Sequence, residues 1–250
     1  MRVSPNPSPA RVLVLQHTLE DSPGYLGQWL DRAGVAWDVF CAEAGQAYPA
    51  SLAGYHGLAI LGGEWTANDD RPSLRHAEAL ILEADAAGVS VIGHCLGGQL
   101  MARAFGGRVT RLPQPEVGWM PLRVVDPAEA RPWLGETGEA MVYQWHYDGF
   151  TELPPGARLL ASSAVCEHQA FAIGRHLAMQ FHIEITPQKI ETWLGDPGSV
   201  YPAAVRDGVS TVESPERMRQ STSRFQAGSQ ALADRIYRAW QARWKISPAS

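Results

Sequence analysis

Three cysteines in 250 residues, Cys41, Cys95 and Cys166, are too few and too widely spaced for a disulfide framework. A reducing cytoplasm fits that count, and a working thiol needs one. No apolar run is long enough to span a bilayer, so no membrane attachment is expected. There is no long basic run and the formal net charge is −5, so no nucleic-acid surface is expected. No Walker-type phosphate loop is present. No His or Cys pair has ligand spacing matched by a second such pair, so neither a metal nor a cofactor is expected. Internal repeats and an interdomain linker are also missing. Residues 1–10 hold one basic residue and no apolar segment, which argues against a signal peptide. Pro5, Pro7 and Pro9 instead predict a flexible, extended arm there.

What is present is an ordinary globular composition, 45% apolar and 19% charged. The length allows one large α/β domain or two small ones. Residues 11–16 read as a buried strand, 25–33 as a short helix stopped at Gly34, 36–40 and 57–61 as strands. Pro72 opens a helix that carries Leu74, Ala77, Leu80, Ile81 and Ala84 at helical spacing. Residues 89–92 are another strand, and 99–105 a helix ending at Gly106-Gly107. Alternating strands and helices point to a parallel sheet covered on both faces. Residues 107–125 then read as short strands broken by Pro113, Pro115 and Pro121. Further strands are expected at 141–146 and 158–163. Residues 169–173 and 177–182 flank Gly174-Arg175-His176 as a hairpin. Thr186-Pro187 starts a helix through Ile190, Trp193 and Leu194. Residues 195–213 read as loop. A long helix from about 215 to 244 carries Phe225, Leu232, Ile236, Tyr237 and Trp240 as its apolar stripe.

The chemistry concentrates in Gly93-His94-Cys95-Leu96-Gly97. A buried strand, paired glycines around a nucleophile and a following helix make a nucleophile elbow, with Cys in place of Ser. The glycines relieve crowding in the tight reversal. The helix N-terminus beneath the sulfur favours thiolate. Cys41 and Cys166 have no such setting. A thiol nucleophile needs a base, and the base needs an orienting group. Among eight histidines His182 has the best context, because Glu184, two residues on along a strand, points the same way. Alone, that pair reads more readily as a strand-end His beside a surface Glu.

Together, Gly93-His94-Cys95-Leu96-Gly97-Gly98-Gln99 and Gln180-Phe181-His182-Ile183-Glu184 resemble the class I glutamine amidotransferase domain. That family has a Gly-x-Cys-x-Gly-x-Gln elbow and, downstream, a Gln-Phe-His-Pro-Glu segment. Ile183 replaces the Pro and removes no chemical group. Leu61-Gly62-Gly63 is similar to the family's oxyanion loop. Glu116-Val117-Gly118-Trp119 and Gln144-Trp145-His146-Tyr147-Asp148 resemble the branch of the GMP synthase glutaminase domain.

The resemblance implies a flavodoxin-like three-layer fold: a central, mostly parallel sheet flanked by helices, plus a small antiparallel sheet. It covers residues 11–195, leaving 196–250 as a C-terminal extension. It implies a Cys95–His182–Glu184 triad, with the Gly63 and Leu96 N–H groups as oxyanion donors. Gly62, Glu64, Gln99, Trp145 and His146 become candidate substrate contacts. Glu64 stands where the family often has Pro, and its role is open. The implied reaction is thioester-mediated hydrolysis of glutamine or another γ-glutamyl amide. No Ser-Gly-Gly phosphate loop of an ATP-pyrophosphatase is present. The chain therefore either hands ammonia to a synthetase partner or acts alone as a γ-glutamyl peptidase on γ-glutamyl peptides or glutathione-like conjugates. Other elbow hydrolases (ThiJ-type or dienelactone-type) and an inactive regulatory subunit remain as alternatives.

Overall fold

Along β1 (Arg11–Gln16), Val12 and Val14 face one side and Leu13 and Leu15 the other, and all four are fully buried. A strand with no polar face belongs inside a sheet covered on both sides. The computed structural model describes residues 10–136, 138–196 and 200–244, and it shows that arrangement. The arm expected at 1–10 lies, apart from Ala10, outside the described residues.

Nine strands form one sheet in the order β2-β1-β3-β4-β9-β8-β7-β5-β6. The parallel part comprises β1, β2 (Ala36–Cys41), β3 (Gly57–Ile60), β4 (Ser90–His94) and β9 (His176–Met179). The antiparallel part comprises β8 (Ala170–Ile173), β7 (Arg158–Ser162), β5 (Arg108–Val124) and β6 (Glu139–Glu152). β9 pairs with β4 on one side and β8 on the other, so the antiparallel strands continue the main sheet instead of forming a separate one. One face is covered by α1 (Gly24–Arg32), α4 (Pro127–Leu134) and α7 (Pro215–Gln241). The other carries α2 (Pro72–Ala87) and α3 (Leu96–Ala104). A third cluster, with Trp119, Tyr143, Ile190, Tyr201 and Met218, ties the β5–β6 hairpin to α5 (Pro187–Leu194), α6 (Tyr201–Arg206) and α7.

Three details depart from the sequence expectations. The region read as short strands is the single 17-residue β5. A register irregularity between Arg111 and Glu116 contains Pro113 and Pro115, so neither has to serve the ladder. α6 lies inside the stretch expected to be loop. α4 was not anticipated, although Asp126 caps it by accepting from the N–H groups of Ala128 and Glu129, and Pro127 holds the first turn.

Strand order positions the functional site. Around β1 the sheet runs β2-β1-β3, so the chain leaves β1 toward one side and returns on the other. The loops after β1 and β3 diverge there, opening a crevice at the carboxyl ends of the parallel strands.

Candidate active site

That crevice is a cleft of about 540 Å³. Each parallel strand around it supplies a piece. Thr18, Glu20 and Asp21 follow β1, Gly63 and Glu64 follow β3, Cys95 follows β4, and His182 lies beyond β9.

Cys95 has φ +46° and ψ −109°, the one positive φ among the described non-glycine residues. A strained backbone persists only where its surroundings fix it. Here the Cys95 N–H donates to the Met179 carbonyl at 2.8 Å, and the Gly97 N–H to the Leu61 carbonyl at 3.1 Å. Closeness explains the paired glycines. A Cβ on Gly97 would lie 2.3 Å from the Ile60 oxygen, and one on Gly93 would lie 2.7 Å from the backbone of Gly97 and Gly98. The sulfur accepts from Gln180 Nε2 at 3.5 Å and lies 3.8 Å from the Trp145 carbonyl.

His182 sits past the end of β9 rather than within it. Its N–H donates to the Tyr143 carbonyl at 2.8 Å, which fixes its direction. Its Nδ1 meets Glu184 Oε1 at 2.5 Å, and both residues are buried. Burial works against the imidazolium, but the Glu184 carboxylate and the Cys95 sulfur outweigh it and raise the His182 pKa to about 10. Nε2 completes no hydrogen bond in the resting structure. Resting sites often hold such contacts loosely until substrate arrives. Trp193 closes over the imidazole edge-on, with ring centroids 4.9 Å apart.

Glu184 is fully buried, and burial alone would keep it protonated. Lys189 reverses this. Its Nζ lies 3.2 Å from Glu184 Oε1, pairs with Asp21 and donates to the Ser22 carbonyl at 2.8 Å. Lys189 and His182 together hold the Glu184 pKa well below the usual carboxylate range against desolvation. The buried ammonium is itself kept charged by Asp21 and Glu184 against the same penalty. His94 stays neutral because burial pushes its pKa down, and its Nδ1 donates to the Ile60 carbonyl at 3.3 Å. Tyr237 of α7 reaches His94 Nε2 at 3.3 Å. The sequence reading missed Lys189, Asp21 and His94. The Thr186-Pro187 helix start was visible, but nothing local signals that Lys189 turns back toward Glu184.

The other expected residues divide into two groups. Gly63, Glu64, Gln99, Trp145 and His146 line the cleft with Cys95. Gly62 does not: a Cβ there would strike the Asp21 carboxylate and the His182 ring, so its role is close packing behind the imidazole. Leu96 is buried as the first residue of α3, where its N–H has no intrahelical acceptor. Gly63 is its neighbour, since a Cβ on Gly63 would lie 3.2 Å from Leu96 Cδ2. Gln99 Nε2 donates to the Asp148 carbonyl and to Gln180 Oε1, both at 3.2 Å. His146 Nδ1 donates to the Asp148 carbonyl at 3.0 Å, and its Nε2 meets Glu116 at 3.1 Å.

Among the described residues two groups of side chains are compact enough to hold a metal ion: Glu116–His146–Cys166 and Asp21–His182–Glu184. In the second, the Lys189 ammonium already bridges both carboxylates, a poor neighbour for a cation. In the first, burial and then Glu116 push the Cys166 thiol up to about 12, so it stays protonated and donates to the His168 carbonyl at 3.4 Å. Among the described residues no helix is long and apolar enough to cross a membrane.

Residues 29–194 match the family described as glutamine amidotransferase class-I. The chain is 29% identical over 188 residues to the glutamine amidotransferase-like protein YfeJ of Salmonella typhimurium, covering 72% of this chain and 78% of that one. It is 31% identical to γ-glutamyl peptidase 3 of Arabidopsis thaliana, over 60% of this chain and 64% of the relative. It is 30% identical to the glutamine-hydrolysing GMP synthase of Bordetella parapertussis, over 70% of this chain but 34% of that longer protein. In structure it is similar to a glutamine amidotransferase from Methylobacillus flagellatus, with 30% identity and a TM-score of 0.87, covering 96% of this chain and 98% of the other.

Proposed function

The chain belongs to the class I glutamine amidotransferase family, and on that premise we propose that it hydrolyses a γ-glutamyl amide through a thioester on Cys95. The observation that carries the reading is the strained Cys95, at the end of β4, in one cleft with the buried His182–Glu184 pair. Cys95 Sγ attacks the γ-carbonyl carbon. The N–H groups of Gly63 and Leu96 stabilise the oxyanion. His182 protonates the departing nitrogen as the C–N bond breaks, then takes a proton from the water that opens the thioester. Glu184 orients His182 and stabilises the imidazolium. Gln99, Trp145, His146 and Glu64 contact the substrate.

In this reading residues 11–195 form the catalytic domain and 196–250 an extension, working in a reducing cytoplasm. The likeness to γ-glutamyl peptidase 3 supports release of an amine or peptide by the chain alone, in a cleft of about 540 Å³. The likeness to GMP synthase supports a second reading, in which ammonia passes to a synthetase partner. Assaying the purified chain with glutamine and γ-glutamyl dipeptides separates the two. Turnover of a dipeptide without a partner, abolished in Cys95→Ala, supports the hydrolase. Glutamine turnover only on adding a synthetase supports the second reading. A Cys95→Ala protein active at the wild-type rate removes both.

A further inference from the structure

The Cys95 sulfur sits between two groups that favour opposite protonation states. The Trp145 carbonyl, 3.8 Å away, can only accept, so it suits the thiol. The Gln180 side chain brings Nε2 to 3.5 Å, and an amide N–H suits the thiolate. Gln180 is fully buried and follows Met179, whose carbonyl accepts from the Cys95 N–H at 2.8 Å. The Gln180 backbone N–H is itself anchored on the Gln169 carbonyl at 2.8 Å. Residues 179 and 180 therefore hold the nucleophile by main chain and side chain together. The Cys95–His182–Glu184 chemistry leaves Gln180 without a role.

Which end of the Gln180 amide faces the sulfur follows from its neighbours. The Asp148 carbonyl can only accept, so the end of the Gln99 side chain 3.2 Å from it is Nε2. The same Nε2 lies 3.2 Å from the Gln180 amide, so the atom that meets it there is Oε1. With Oε1 turned to Gln99, Nε2 points at the sulfur. His146 Nδ1 also reaches the Asp148 carbonyl, at 3.0 Å, and steadies the start of this chain. A backbone oxygen on β6 thus sets the direction of every hydrogen bond down to Cys95. The Gln180 N–H has a reason to stay on the sulfur, because a buried donor without an acceptor is costly.

We infer that Gln180 is a further catalytic residue: its side-chain N–H donates to the Cys95 thiolate, before the sulfur attacks the γ-glutamyl carbonyl and again when the sulfur leaves the thioester. The inference rests on the proposed function and adds a group to it. The thiol proton passes to His182 as the thiolate forms, and Gln180 stabilises the charge left on sulfur. The C–S bond then forms, the C–N bond breaks, and His182 gives the proton to the departing nitrogen. In the second half water forms the new C–O bond and its proton goes to His182. The C–S bond breaks with its electron pair on sulfur. A thioester sulfur is a weak acceptor and a thiolate a strong one, so the Gln180 hydrogen bond strengthens as the sulfur departs.

The test follows alkylation of Cys95 by iodoacetamide in the full chain across the acid and alkaline range, with the adduct mapped by peptide mass. The probe has no glutamyl group, so altered substrate binding does not enter the readout. Gln180→Met keeps a side chain of similar length and removes the donor. Its rate curve is expected to move to higher pH by about one unit, which makes it about tenfold slower on the acid limb. On the alkaline plateau it matches or exceeds the wild type, because a less stabilised thiolate is the better nucleophile. Gln99→Met removes the donor that holds Gln180 Oε1 and gives a smaller shift of the same sign. The titratable groups around the sulfur are His182 with Glu184 behind it, Asp21 and Glu64 from the loops after β1 and β3, and Arg111, His146 and Asp148 from β5 and β6. Both variants leave all of them in place. A Gln180→Met curve that stays put, or falls by one factor at every pH, overturns this inference and leaves the thioester mechanism standing. Should Gln180→Met not fold, an unshifted Gln99→Met curve has the same force. A wild-type Cys95 that reacts at no pH overturns both.

Discussion

Replacing Lys189 with Met removes one buried cation from between two buried carboxylates. Lys189 is 4% exposed, Asp21 2% and Glu184 0%, and the Nζ–Glu184 distance is 3.2 Å. Breaking a buried pair from one side leaves uncompensated charge, which costs about 3–5 kcal/mol. The sign with pH follows from Glu184. In the wild type its pKa lies well below 4.5, so its contribution is present above 4.5 and is lost as pH falls through the depressed folded-state value. In Lys189→Met one of the two cations that oppose burial is gone, so the folded-state value moves up from its depressed position. A less depressed pKa contributes less stability above 4.5, so the difference between the two proteins grows from pH 4 to pH 7. Urea unfolding at both pH values measures it. The double variant Asp21→Asn/Lys189→Met removes one orphaned charge and recovers about half of the loss at pH 7. A single-variant cost under about 1 kcal/mol at pH 7, or one independent of pH, would refute the assignment of Lys189 as the counter-ion of Glu184.

Three further outcomes follow from contacts at the site and the core. Glu184→Gln lowers kcat by about 10³–10⁴ with little change in KM, as loss of a triad carboxylate does elsewhere. Its basic pH limb also moves down, because the charge that raises the His182 pKa to about 10 is gone; steady-state pH profiles report both. Gly97→Ala forces a Cβ to within 2.3 Å of the Ile60 oxygen, and a cost of about 2–3 kcal/mol in chemical denaturation is expected, with activity lost. Trp240 is fully buried and its indole N–H donates to the Ser90 carbonyl at 3.1 Å. Trp240→Ala is expected to cost about 3–5 kcal/mol in a thermal or urea melt.

The parts of the site carried by short, continuous segments were legible in the sequence. The elbow is one: strand, glycine pair, Cys95 and helix occupy consecutive residues, and their crowding demands glycine where a reader sees glycine. The His182–Glu184 contact is another, although its reason differs from the expected one. His182 is aimed by a hydrogen bond to Tyr143, 39 residues earlier, not by membership of a strand. What stayed hidden depends on distant partners. Lys189 joins the site through Asp21, 168 residues away in sequence, and no periodicity encodes that. The unbroken β5 was hidden because Pro113 and Pro115 normally end a strand, while here they fall in the register irregularity. Pro121 is tolerated because β7 pairs β5 only at Arg123 and Val124, leaving that side of Pro121 without a ladder partner. α4 carried a readable Asp126-Pro127 start, but its eight residues are too few for a helical period to stand out. Gly62 looked like part of the cleft lining from its motif, and only the packing of Asp21 and His182 shows what the missing side chain makes room for.

The proposed chemistry depends above all on a proton shared between Cys95 and His182 in one cleft. Intact-mass analysis after incubation with an electrophilic glutamine analogue tests this directly. The prediction is a single adduct per chain, mapped to Cys95, forming much more slowly in His182→Ala, with Cys41 and Cys166 unmodified. An unlabelled Cys95, or labelling at equal rates with and without His182, would contradict it.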